Sequence, residues 1–202
     1  MNEASLRECF AHSDLEWRLS QIPATAMCRG AFFNMLDERA ALLSRDTQAA
    51  YRAFFRVTRF VPFRMYPVSD YLTRMAILCQ VHWGAGQVYE GMRTIQASAF
   101  DAWARTLLGR AALAVIDPSL DGVLRMIERA YASRTLNNHA DFRVIRVSER
   151  EVVTRFENEY LPIEHAMVGA LEAVLTLCRT RGVVRAELEG PFDGTVRIQL
   201  AE

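Results

Sequence analysis

Lysine is absent from the sequence: every one of its 24 basic residues is arginine, and 24 acidic residues balance them. Without lysine there is no Walker-type phosphate loop, whose glycine-rich turn must end in Lys-Ser or Lys-Thr. The arginines are scattered along the chain rather than run together. With a net charge of zero, they give no electrostatic footprint for nucleic acid and no basic amphipathic stripe for a membrane surface. Cysteine is sparse. Cys9, Cys28, Cys79 and Cys178 lie far apart and form no CxxC, so buried thiols in a reducing compartment are expected rather than a disulfide framework. No apolar run approaches the length of a membrane span. The opening MNEASLRECF lacks the charged start and apolar stretch of a signal peptide, so a cytoplasmic location is expected.

What is present is a globular pattern, with 51% apolar and 24% charged residues and no low-complexity segment. A chain of 202 residues is expected to form a single domain, 1–202, with a helical part to about 134 and a sheet part over about 140–202. HSDLEWRLSQIP reads as a short helix that Asp14 could cap, and residues 25–30 as a short extended segment. Helices follow at AFFNMLDERAALL, at TQAAYRAFFRVTRF with Asp46 as cap, and at DYLTRMAILCQVHW after a turn between Pro62 and Pro67. A long helix is expected over about 87–115, because Val88, Met92, Ile95, Ala99, Trp103, Leu107 and Ala111 recur at steps of three and four. SLDGVLRMIERAY gives one more.

Near position 140 the period drops to two. DFRVIRV and EVVTRFE are joined by SER, a hairpin turn. In the second run Val152, Thr154 and Phe156 share one face. A helix follows Pro162, with Ile163, Met167, Leu171, Val174 and Cys178 inward and Gly182 as its stop. Two more strands alternate cleanly: Val184, Ala186 and Leu188 in the first, Val196, Ile198 and Leu200 in the second. The expected class is therefore α+β: an N-terminal helical bundle packed on one face of a four-stranded antiparallel sheet, in strand-strand-helix-strand-strand order.

VHWGAGQVYEGMRT resembles a phosphate-cradling loop at first sight. Its spacing is G-x-G-x-x-x-x-G, it follows a helical rather than a strand period, and no dinucleotide fingerprint results. Gly84 and Gly86 are expected to turn the chain between helices, and Gly91 to let two helices approach. Cys9 with His12 and Cys79 with His82 are two Cys-x-x-His pairs that could share a tetrahedral zinc site; buried thiols and ordinary imidazoles are the competing reading. No G-x-S-x-G occurs. The carboxylates Glu149, Glu151, Glu157 and Glu159 sit by strand ends, where solvation is expected.

Several blocks in order, among them DLEWRLSQIPATAMCRGAFFNML, GMRTIQASAFDAWARTLLGRAAL and RTLNNHADFRVIRVSEREVVTRFEN, resemble an uncharacterised family that is heavily duplicated in myxobacteria. More distantly, RGAFFNMLDERAALL and FRVIRVSEREVVTRFENEYLPIEHAMVGALEAV resemble the opening helix and the sheet-and-helix layout of the heme–nitric oxide/oxygen-binding domains. Those domains share a fold with 4-vinyl reductase-type domains and with Golgi vesicle-tethering subunits. Known members use a groove between helices and sheet for a ligand, or outer helices to dimerise. The heme sensors carry a Tyr-x-Ser-x-Arg clamp before the last helix; the corresponding stretch here is FENEYLP, without arginine. The helix that would supply an iron-binding His reads SLDGVLRMIERAY, without histidine. No heme or other cofactor is therefore expected.

The leading expectation is a non-enzymatic regulatory or sensory domain. It would bind a small hydrophobic ligand, with Tyr71, His82, Trp103, Arg134 and Asn138 lining a groove, or relay a signal to a protein partner. The alternative is a homodimeric interaction module without ligand, its interface formed by Phe32, Phe33, Tyr51 and Phe55. Zinc binding through Cys9, His12, Cys79 and His82, or an enzymatic role, ranks below both.

Overall fold

Apolar residues three and four apart wind much of the chain before position 133 into helix, and alternation takes over afterwards. The computed structural model describes residues 10, 13–55, 59–105, 107–115, 117 and 119–201. The chain separates into two compact units, 1–92 and 93–202.

In the first unit, helix α1 (Leu15–Gln21) leads to strand β1 (Met27–Arg29), then to helices α2 (Gly30–Ala41) and α3 (Arg45–Ala53). Strand β2 (Met65–Pro67) and helix α4 (Val68–Trp83) follow, and α5 (Val88–Arg105) begins after a short 3-10 turn. β1 and β2 pair antiparallel, Cys28 opposite Tyr66. This ribbon confirms the extended segment expected at 25–30, but the pattern offered only a turn at its partner. A three-residue strand ending in proline carries no readable alternation.

α3 is shorter than its pattern. Its cap is Ser44, whose Oγ accepts the Thr47 N–H at 3.2 Å, rather than Asp46. It stops at Ala53, short of the expected Phe60. Phe60 is claimed by the Asn34 side chain, which accepts its N–H at 3.1 Å and donates to its carbonyl at 2.9 Å. That amide satisfies the backbone outside any helix. The Phe60 ring then stacks on Phe33 at 4.3 Å, with Tyr66 and Tyr71 around it. Phe33 and Tyr51 are thus buried core residues, whereas a helix-mediated dimer would need them exposed.

The glycine stretch behaves as a helix–helix connection. Gly84 closes α4 at φ +90°, a conformation that costs other residues strain. A Cβ on Gly91 would sit 2.8–2.9 Å from Trp83 and Cys79, so glycine there lets α5 lie close against α4.

In the second unit the expected long helix is present over α5 and again over α6 (Leu107–Ala114), with position 106 outside the described residues. Ser119 caps α7 (Leu120–Ala132), its Oγ accepting the Gly122 N–H at 3.1 Å. Then come β3 (Asp141–Val147), β4 (Glu151–Glu157), a π-helical turn (Ile163–Met167) running into α8 (Val168–Leu177), β5 (Gly182–Leu188) and β6 (Gly194–Leu200). The sheet order is β3-β4-β6-β5, antiparallel throughout. Phe142, Val144, Val152, Thr154, Phe156, Val184, Val196 and Ile198 are buried on its inner side, with α7 against β3 and α8 against β5. Buried Thr154 satisfies its hydroxyl by donating to the Val196 carbonyl.

Gly182 does not stop α8. The helix ends at Leu177, and Arg179 takes the left-handed position at φ 53°. Gly182 opens β5 instead, where a Cβ would meet the Gln199 carbonyl at 2.7 Å. Cys178 is only half-buried. Leu188, expected inside with Val184, is 45% exposed.

Candidate functional site

The loop from α7 to β3 is held by its own side chains. Arg134 adopts the left-handed conformation, φ 56°. Its guanidinium donates to the Ala140 carbonyl at 2.7 Å and pairs with Asp141 at 3.0 Å. Asn137 is the buried amide, its Oδ1 accepting the N–H groups of His139 and Ala140, while Asn138 is exposed. A short amide bonding to the backbone two and three residues on is the usual device for such a turn.

Beyond β4, Asn158 is also left-handed, φ 55°, and its N–H donates to Asp193 at 2.9 Å. This reverses the strand alternation and turns Glu159 inward. Glu159 is 2% exposed. Its N–H donates to the Phe192 carbonyl at 2.9 Å, and its carboxyl accepts the Leu161 N–H at 3.0 Å and a hydrogen bond from Tyr131 of α7. Burial pushes this carboxyl up to about 7, against the pull of those two donors. Next to it the Tyr160 ring packs between those of His139, tilted at 5.1 Å, and Phe192, edge-on at 5.0 Å. Burial, and then the Asp193 charge, raise the Tyr160 phenol. A neutral carboxyl can donate a proton at physiological pH, and an ionised one accepts two bonds. Glu159 is thus a buried carboxyl whose protonation burial favours, set within an aromatic-lined corner.

The strand-end carboxylates are not all solvated as their positions suggested. Glu159 is fully inside, and Glu151 is 9% exposed, paired with Arg197. Alternation could not assign Glu159, because the left-handed Asn158 stands between it and the strand.

The residues singled out for a ligand groove divide. Arg134 and Asn138 share the loop just described. Tyr71 and His82 both lie on α4 in the first unit: Tyr71 is buried against Phe32 and Phe33, and His82 is exposed, its ring 4.4 Å from that of Trp83. Trp103 lies on α5, its side chain outside the described residues. Cys79 has no exposure while His82 is at the surface, so the pair does not present two ligands to one point. Cys9 and His12 lie outside the described residues, among which no group of three or more His, Cys, Asp or Glu could hold a metal ion.

Residues 22–199 match the family described as "Protein of unknown function (DUF2378)". The chain belongs to that family. No curated protein matches it. Among solved structures it is similar to the Fe(II) unliganded H-NOX protein from K. algicida, at 13% identity and a TM-score of 0.61, covering 86% of this chain and 97% of that one. It is also similar to an H-NOX protein from S. oneidensis in the Fe(II)NO ligation state, at 11% identity and a TM-score of 0.67, covering 86% and 99%. At these identities the likeness is one of fold. No helix among the described residues is long and apolar enough to cross a membrane.

α7 carries no histidine. The Glu159 carboxyl, hydrogen-bonded from Tyr131 of that helix, is buried.

Proposed function

We propose that this DUF2378 chain is a regulatory or sensory domain that uses an H-NOX-like fold without heme, holding a small hydrophobic ligand or relaying a signal through a protein partner. The observation that supports the reading is a buried Glu159 carboxyl beside an aromatic row, in a chain whose fold is similar to H-NOX structures over 86% of its length. In this reading the 134–140 loop and the His139–Tyr160–Phe192 row form the responsive part of the second unit. Arg134 and Asn138 are its outermost polar contacts, and Glu159 is the group that senses occupancy.

Freshly purified protein, taken without added cofactor, tests the reading by native mass spectrometry and absorption spectroscopy. The expected result is an adduct of small-molecule mass that is lost on denaturation, with no Soret band. A Soret band at stoichiometric intensity would overturn the heme-free assignment. An unliganded mass in every preparation would leave the protein-relay arm alone.

A further inference from the structure

The two edges of the four-stranded sheet are finished differently. At the β3 edge the register shifts by a bulge at Ile145, and α7 covers the backbone: Glu128 accepts the Val144 N–H at 2.8 Å and Arg125 reaches the Val144 carbonyl at 3.5 Å. Bulges and covering side chains are how sheets protect an edge from unwanted pairing. β5 has neither. It stays in register with β6 from Gly182 opposite Leu200 to Leu188 opposite Gly194, without bulge or proline. Among the described residues, no hydrogen bond or ion pair reaches β5 from its other side. Val183 is 55% and Leu188 45% exposed along it.

The charges on β5 are also incomplete. Arg185 lies opposite Arg197, a like-charge cross-strand pair, and Arg197 already has Glu151. Glu187 lies opposite Thr195. Neither Arg185 nor Glu187 makes an ion pair among the described residues, although opposite charges directly across a strand are favourable and like charges are not.

We propose that a second copy of this chain pairs antiparallel along β5, on a two-fold axis at Ala186, joining the two sheets into one of eight strands. In that register Arg185 meets Glu187 of the partner subunit, and the converse contact follows by symmetry. On the inner face the exposed Leu188 meets Val184 of the partner subunit. Centring on Arg185 or on Glu187 would set a charge against its own copy, so the charges disfavour both of those registers. The dimer thereby neutralises both idle charges, covers Leu188 and completes the open backbone edge.

Sedimentation velocity over a concentration series tests this with a charge exchange. The wild-type chain self-associates. Arg185→Glu and Glu187→Arg each place like charges across the axis twice and weaken self-association about tenfold or more. An equimolar mixture of the two variants associates again, because each then meets the opposite charge. The double variant carrying both substitutions also regains wild-type association. A misfolded variant could not be rescued by mixing, so the mixture separates a lost interface from a lost fold. A wild-type chain that stays monomeric throughout overturns the proposal. So do single variants that associate as the wild type does, which would place any dimer on another face, and singles that fail alone and also fail when mixed.

Discussion

Asp37 in the first unit and Glu159 in the second are both lifted above the usual carboxylate range, and for the same leading reason, loss of water. Their surroundings differ. Asp37 accepts the Tyr51 hydroxyl at 3.0 Å and has Arg74 at 3.7 Å, and both oppose the effect of burial. Arg74 is itself 7% exposed, its guanidinium 4.0 Å from the Phe55 ring centre and 4.8 Å from that of Phe60. Among the described residues the donors to Glu159 are neutral, Leu161 N–H and the Tyr131 hydroxyl. A buried acid beside a cation is held as part of the architecture. One without a cation keeps a choice of protonation state near neutral pH, which suits a group that must respond to something.

The largest expected consequence lies at Glu159. Its folded value, about 7, stands above its unfolded one, so the folded state binds more protons between them. Stability is therefore full below the unfolded value and falls as pH rises through about 7, by about 3 kcal/mol in all. Glu159→Gln keeps an acceptor for Leu161 and cannot ionise. It should match the wild type at pH 5 and exceed it at pH 8, with a nearly flat profile in urea titrations. A wild-type profile equally flat over that range would show that Glu159 does not carry the titration.

How far the pattern of residues could reveal these two sites depends on what sets the burial. Strands β3 to β6 follow from alternation alone, because a half-covered sheet imposes a period of two on its own sequence. Gly91 is readable for a similar reason, since close helix approach demands the smallest side chain at helical spacing. Strand β2 and the early end of α3 are not, because a three-residue strand ending in proline carries no alternation and the Asn34 amide overrides a local helical pattern. Glu159 is the harder case. Nothing in FENEYLP marks Asn158 as left-handed, and one such residue turns the next side chain from solvent to core. Asn137 and Asn138 differ only in which amide the turn uses.

At Asp37 the effect comes from the cation. Arg74→Ala removes the charge beside Asp37 and the guanidinium over Phe55 and Phe60. The Asp37 side chain is 23% exposed, so water replaces part of what is lost, and the expected cost is about 2 kcal/mol at neutral pH. With the cation gone, the Asp37 carboxyl rises further, so the cost is smaller at pH 5 than at pH 8. Adding Asp37→Asn should recover part of it, because an amide needs no counter-charge. An equal cost at both pH values, with no recovery in the double variant, would make Arg74 a packing residue only.

The finest test separates the ionised from the neutral form of Glu159. The Tyr131 hydroxyl lowers the Glu159 carboxyl, so it bonds more strongly to the charged form. Tyr131→Phe keeps the ring against Phe142, 5.6 Å between centres, and deletes only that donor. Glu159 should then titrate above about 7, and the variant should lose about 1 kcal/mol at pH 8 while losing less at pH 5. In a Glu159→Gln background the same change should cost the same small amount at both pH values, since no charge remains to be stabilised. If Tyr131→Phe cost the same at pH 5 and pH 8 with Glu159 intact, the hydroxyl would be filling space rather than reading the proton. The corner between α7 and β4 would then be a packed joint like the one at Asp37, with no group left in it to report a change of occupancy.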